Sequence, residues 1–267
     1  MSQSIITVVL VQVQNHKMTD ITEHNRQHFD KVATTHQTDF GELIDAAIRE
    51  FKARRGWITP ALNDPPASEA KELQLLDYAC GAGTVSKALA PYVTQTIGLD
   101  LSSGMVAEYN KAALEMGFGI ERMHAYQYNL LGTDTESDSA TTSLLPENTL
   151  APFDVIVIGM ALHHVSEPSV LLARFKELLK PGGVCVVMDM VPTDDAPDIE
   201  GVLEPSQLEV AKTIGKRGFT EQEMRELYEG ARMGKGFEYV VIEEKFRFTM
   251  FGHQFGVTGF MARGEVE

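Results

Sequence analysis

The sequence predicts an α/β fold: a doubly wound, mostly parallel sheet, closed by a C-terminal antiparallel hairpin and preceded by a helical N-terminal region. Three observations carry this. Short Val/Ile-rich runs alternate with helical stretches from residue 73 onward, which is the pattern of strands buried on both faces. One such run ends in an acid and a Gly-rich turn, Asp77-Tyr78-Ala79-Cys80-Gly81-Ala82-Gly83-Thr84. At the end, Phe237–Phe248 and Gly256–Arg263 read as two strands with no helix between them.

The elements follow in order. Residues 1–18 contain the run Ile5 to Val13 (IITVVLVQV), a β-prone extension that is too short for a membrane span, which needs ~20 residues. No Lys or Arg precedes it, unlike a signal peptide. From Thr22 to Arg55 the chain reads helical, with Phe40, Leu43, Ile44, Ala47, Ile48 and Phe51 on one face. Gly56 and Pro60 are expected to end that helix, and residues 63–68 (NDPPAS) form a linker. Residues 19–68 are thus a helical lid with its linker, and 69–267 the main domain. Expected strands are Leu73–Ala79, Thr96–Asp100, Arg122–Tyr128, Phe153–Ile158 and Gly183–Asp189. Expected helices between and after them are Thr84–Ala90, Gly104–Met116, Ser169–Leu179 and Glu221–Ala231, the last opened by a Thr220/Glu223 capping box. Residues 132–151, rich in Thr, Ser, Asp and Glu, read as a surface loop.

Composition narrows the function. The 267 residues are 43% hydrophobic and 23% charged, as in ordinary globular proteins. The net charge of −15 opposes binding to nucleic acid or to an anionic membrane surface. Two cysteines, Cys80 and Cys185, sit in apolar runs and make no disulfide framework, so a reducing compartment is expected. That means the cytoplasm, with the nucleus as alternative. HExxH, paired CxxC, P-loop and Gly-x-Ser-x-Gly motifs are absent from the sequence, so no metal or nucleotide hydrolysis is inferred.

The chemistry concentrates at two places. Glycines 81 and 83 let the backbone approach a ligand at the start of a helix, whose N–H groups point outward. Asp100 closes the next strand nineteen positions after Gly81, the spacing at which an acid hydrogen-bonds a ribose diol. Ser102 or Ser103 is the better helix cap there. A nicotinamide dinucleotide and S-adenosylmethionine both fit so far. Ser86 stands at the third glycine position, and Asp77 would repel a pyrophosphate yet suit an ammonium and a sulfonium. Both favour S-adenosylmethionine over an NAD-dependent oxidoreductase.

At this point the chain resembles a known family. Asp77–Thr84, Asp100–Val106, Phe153–Val165 and Leu179–Val184 are similar to successive motifs of the Rossmann-like class I S-adenosylmethionine-dependent methyltransferases. The similarity is greatest to the branch holding the ubiquinone/menaquinone-type and other small-molecule enzymes. The chain also resembles fungal stand-alone methyltransferases, including those of secondary metabolism and velvet-type regulatory complexes. Ala79 departs from the pattern, since many members carry Gly there.

The resemblance implies roles. Ala79, Cys80, Gly81 and Gly83 would line the methionine portion, and Asp77 would organise that loop or reach the ammonium. Asp100 would hold the ribose, with Leu101 and Met105 against the adenine and Asn129-Leu130 near its amine. Gly159 would border the methyl group. His163 and His164, just past the fourth strand, are candidates for taking a proton from an acceptor hydroxyl, one of them facing the site. The implied partner is a small-molecule acceptor. A regulatory subunit acting through a protein partner is the rival from another class.

Overall fold

A computed structural model describes residues 21–65, 72–132, 145–193, 199–204, 207 and 213–267. The expected extension over 1–18, the end of the linker 63–68 and most of the loop 132–151 lie outside the described residues.

The N-terminal helical region is broken into pieces. Helix α1 covers the described residues 21–32, a single turn α2 covers His36–Asp39, and α3 runs from Gly41 to Ile58. Helix α3 passes through Gly56 and stops two residues later. The reason is Pro60: the residue before a proline is pushed out of the helical region, and Thr59 is extended at φ −158°, ψ 139°. A 3₁₀ turn, Pro60–Leu62, then leads to the main sheet.

The sheet elements follow as β1 (Gln74–Tyr78), α4 (Thr84–Leu89), β2 (Gln95–Asp100), α5 (Ser103–Glu115), β3 (Met123–Gln127) and β4 (Phe153–Gly159). After a 3₁₀ turn at Leu162–His164 come α6 (Pro168–Leu178), β5 (Leu179–Met190), the short α7 (Ile199–Val202) and α8 (Glu221–Gly230). The chain closes with β6 (Lys235–Val241), β7 (Phe246–Met250), β8 (His253–Val257) and β9 (Gly259–Glu265). The capping box that opens α8 is formed on both sides, between Thr220 and Glu223.

Seven strands form one sheet in the order β3-β2-β1-β4-β5-β9-β6. Neighbours from β3 to β5 pair in parallel, and only β9 runs against its neighbours β5 and β6. The expected closing antiparallel pair is β6 with β9. The single strand expected over Phe237–Phe248 is divided: β6 ends at Val241, and β7 leaves the sheet to pair with β8 as a separate hairpin.

Burial follows the two-residue period of a strand covered on both faces. Val155 and Val157 of β4 pack with Phe51, Val85 and Leu89, beneath α3 and α4. Ile156 and Ile158 pack on the other face with Leu172, Phe175 and Tyr228, beneath α6 and α8. Helix α3 therefore belongs to the core: Ala47, Phe51 and Ile58 are 0–1% exposed. Only α1 and α2 are left of the N-terminal region to act as a cover.

Candidate active site

After β1 the chain turns towards β2, and after β4 it turns towards β5, so a crevice opens at the carboxyl ends of these two strands. A cavity of about 570 Å³ lies there. That is within the ~300–1,000 Å³ range of small-molecule sites.

The loop after β1 forms its floor. Ala79, Gly81 and Gly83 are left-handed, at φ 52°, 50° and 86°. A methyl group on Gly81 would meet nothing within 4 Å, so this glycine faces open space. Gly83 differs from the expectation. It opens α4 and its missing side chain would sit 3.1 Å from the Tyr109 ring, so it packs behind the loop and does not border the cavity.

Asp77 is buried beneath this floor. Its Oδ2 accepts from the Ser86 amide (3.1 Å) and hydroxyl (2.7 Å), and Tyr109 O–H donates to Ser86 Oγ (2.8 Å). Ser86 at the third glycine position is thus the partner of Asp77, and Asp77 organises the start of α4. Burial pushes the Asp77 carboxyl up to about 7. Asp100 accepts from Gly81 N–H and Ser102 N–H, both at 2.8 Å. Burial raises it to about 6, against those two bonds. A carboxylate has about four lone-pair positions, so Asp100 keeps acceptor capacity towards the cavity. Ser102 caps α5 through Met105 N–H, as its position suggests.

Leu101, Met105, Cys80, Ala79, Asn129 and Gly159 all border the cavity. Leu130 does not. It is 7% exposed within the core on the α6/α8 side, because the Asn129 side chain accepts from Leu131 N–H and folds the turn so that Leu131 faces inward instead. At Gly159 a methyl group would approach Val85 Cγ2 to 2.8 Å. Met160 beside it is left-handed at φ 55°, uncommon for a side chain of that size.

Both His163 and His164 border the cavity, not one of them alone. Their rings are 4.0 Å apart. His163 Nδ1 lies 2.8 Å from Asp189 Oδ1, and His163 N–H donates to Asp189 Oδ2 at 3.0 Å. His164 Nδ1 donates to the Thr213 carbonyl at 2.7 Å. Burial, then the neighbouring His163, hold His164 well below the usual imidazole range, so it is neutral. The sequence marks Asp189 only as the end of an expected strand and not as a site residue. Its one signal was an acid near the end of the otherwise apolar run GVCVVMDM.

Helix α1 lies across the opening. Asp30 Oδ1 accepts from Ser102 Oγ (2.7 Å), Ser103 Oγ (3.3 Å) and Gly104 N–H (3.0 Å), at the start of α5. Asn25 donates to the His164 carbonyl at 3.1 Å. Asn25 borders the cavity at 5% exposure, and its Oδ1 has no hydrogen-bond partner among the described residues. His28 and His36 also border the cavity, burial lowering both, His36 to about 4. The β7–β8 hairpin supplies the remaining wall through Phe248, Met250 and Phe251, with Phe248 stacked on Phe40. His253 is exposed and does not border it.

Among the described lining residues there is no Lys, Arg or Glu; the charged side chains are Asp39, Asp77 and Asp100. No group of three or more His, Cys, Asp or Glu among the described residues is placed to hold a metal. No described helix is long and apolar enough to cross a membrane.

A family profile described as a methyltransferase domain matches residues 42–235. The chain belongs to the class I S-adenosylmethionine-dependent methyltransferase family. A methyltransferase of Schizosaccharomyces pombe is 32% identical over 161 residues, 60% of this chain and 53% of that protein. A ubiquinone biosynthesis O-methyltransferase of Pasteurella multocida is 34% identical over 111 residues, 42% of this chain and 43% of its own length. The chain thus spans about half the length of the curated relatives it matches. Among solved structures, magnesium protoporphyrin IX methyltransferase of Synechocystis, with bound S-adenosylhomocysteine, superposes with a TM-score of 0.56 at 14% identity. It covers 92% of this chain and 100% of that one. The YcgJ protein of Bacillus subtilis gives 0.52 at 17% identity, covering 79% and 97%. These two likenesses are of fold. The family match begins inside α3, in keeping with that helix lying in the domain core.

Proposed function

We propose that the protein transfers the methyl group of S-adenosylmethionine to a small-molecule acceptor by direct displacement. The observation that carries this reading is the cavity's charge. Its acidic groups are Asp100 at the end of β2 and Asp77 buried beneath the floor, and no described lining residue is a Lys or Arg. Such a lining suits a ligand bearing an ammonium and a sulfonium and opposes the pyrophosphate of a dinucleotide. Asn25 Oδ1, which has no partner among the described residues, is a further acceptor at the cavity. Open space at Gly81 leaves room for close backbone approach.

S-adenosylmethionine supplies a methyl group already activated on a cationic sulfur. The chain's own task is then alignment and exclusion of water. In this reading Asp100 accepts from the ribose hydroxyls, with Leu101 and Met105 against the adenine and Asn129 beside it. Ala79, Cys80 and Gly81 hold the methionine portion, Asp77 keeps their loop in shape, and Gly159 borders the methyl group. Residues 21–40 act as the lid, and β7–β8 with 213–214 shapes the acceptor side. Cys80 and Cys185, both buried free thiols, fit a reducing compartment such as the cytoplasm.

Calorimetry with S-adenosylmethionine, S-adenosylhomocysteine and NAD tests the reading. Binding of the first two and not of NAD is expected. Binding of NAD alone would overturn it.

A further inference from the structure

We infer that Phe251, at the tip of the β7–β8 hairpin, is the residue that selects the methyl acceptor, and that it does so by covering the outer end of an uncharged molecule with a flat apolar body. This rests on the methyl-transfer reading above and assigns the specificity of the same site.

Local rules do not put a phenylalanine at this position. Met250 pairs with His253, so Phe251 and Gly252 are the two residues of a tight hairpin turn. Both are left-handed, at φ 51° and 81°. Such a turn favours Asn, Asp or Gly at its first position, because a left-handed backbone crowds a bulky side chain. Five described residues other than glycine have positive φ. Three of them, Ala79, Met160 and Phe251, border the cavity. Strained backbone that collects around one cavity points to a use there.

Packing of the hairpin does not account for the ring either. Phe248 stacks on Phe255 at 5.5 Å and on Phe40 at 5.2 Å. Met250 and Phe255 form a small buried cluster with Leu203. Phe251 takes no part in that stack or that cluster and is 51% exposed. Of the large hydrophobic side chains left exposed among the described residues, it alone borders the cavity. It therefore stands at the rim, with half of its surface uncovered, and a ligand that reaches the rim would cover that half.

The walls beside the ring give the class of molecule. Phe40, Phe248, Met250 and Val257 carry the apolar surface inward, and Phe29 adds to it from α1. No described lining residue is a Lys or Arg that could hold a carboxylate or phosphate. A charged body would lose its hydration against these walls and gain no partner. The groups assigned above to the cofactor, Asp77, Gly81 and Asp100, lie at the ends of β1 and β2, so the hairpin tip acts on the acceptor alone.

The test measures binding of 1-naphthol to the full chain saturated with S-adenosylhomocysteine, in the unmutated protein, Phe251→Asn and Phe251→Tyr. Asn suits the turn, so Phe251→Asn should raise the melting temperature or hold it within roughly 2 °C. The same variant should weaken 1-naphthol roughly 5- to 20-fold, the share of an uncovered half ring, with affinity for S-adenosylhomocysteine unchanged. Phe251→Tyr keeps the ring and should keep the binding. 1-Naphthoate, the same ring system carrying a charge, should bind the unmutated complex at least about tenfold more weakly than 1-naphthol. A ring kept only to hold the hairpin predicts the reverse for Phe251→Asn: a lower melting temperature and unchanged 1-naphthol binding. Either of those results, a loss of S-adenosylhomocysteine affinity in Phe251→Asn, loss of 1-naphthol binding in Phe251→Tyr, equal binding of naphthol and naphthoate, or no binding of 1-naphthol to the unmutated complex overturns the inference. Failure of the unmutated protein to bind S-adenosylhomocysteine would instead remove the methyl-transfer reading itself.

Discussion

Replacing Asp30 with Ala should release the cover over the cavity. Asp30 Oδ1 collects three donors from the first turn of α5, and Oδ2 pairs with Arg26 at 3.0 Å. Hydrogen bonds to a charged group contribute ~1.5–3 kcal/mol each. The 3.3 Å bond from Ser103 adds little, and the side chain is 27% exposed, so water recovers part of the rest when α1 lifts. The net docking loss is then about 2–3 kcal/mol, roughly a 30- to 150-fold shift towards the open form. Hydrogen exchange over residues 21–40 should accelerate by that factor, and affinity for S-adenosylhomocysteine should fall with it. Asp30→Asn keeps one acceptor oxygen and should lose about half as much on a free-energy scale. The latch should also be acid-sensitive. Burial alone would raise the Asp30 carboxyl, but the Gly104 and Ser102 bonds outweigh it and hold the group below its usual value. A lowered value means docking is fully present above the ordinary carboxylate range and is lost as pH falls through the lowered one. Unchanged exchange in Asp30→Ala would refute the reasoning and make α1 a permanently docked helix.

Other outcomes follow from single residues. Asp100→Ala should weaken binding of S-adenosylhomocysteine by at least tenfold, since it removes the acceptor for the ribose and unties Gly81; an unchanged dissociation constant in a folded variant refutes the assignment. Ala79→Gly should stabilise the fold by about 1 kcal/mol, because a left-handed alanine costs ~1–2 kcal/mol and glycine gives back part of that in chain entropy. A lower melting temperature for Ala79→Gly would contradict this. Asp77 is raised to about 7, so the folded chain retains a proton that the unfolded chain has lost, and stability falls as pH rises from about 4 to about 7. Asp77→Asn should flatten that slope and gain on the wild type at pH 8, by up to ~4 kcal/mol. Parallel pH–stability curves for the two proteins would argue against a buried charge at this position.

The parts legible in the sequence are those whose physics is local. Alternating apolar runs declare buried parallel strands, because each strand hides both faces. The turn Ala79–Gly83 declares itself through its glycines, which hold two of its three left-handed positions, a conformation that disfavours most side chains. Asp100 and the capping box at Thr220 and Glu223 are likewise readable from spacing, as both act on backbone a few residues away or at the end of an adjacent strand. Leu130 and Leu131 show where local reading stops: which of two adjacent leucines faces the cavity depends on a turn that the Asn129 side chain closes. The separation of β7–β8 from the sheet could not be read either, because strand propensity carries no information about partners. The site depends most on pairs that are far apart in the chain. Asn25 meets His164 across 139 positions, and His163 meets Asp189 across 26. An isolated Asp in an apolar run is read as a strand end until the sheet register sets it beside an imidazole. Strands and motifs are properties of residue order, whereas the pairing of His163 with Asp189, the neutrality of His164 and the carboxylic lining of the cavity arise from burial and proximity, which exist only once the chain has packed.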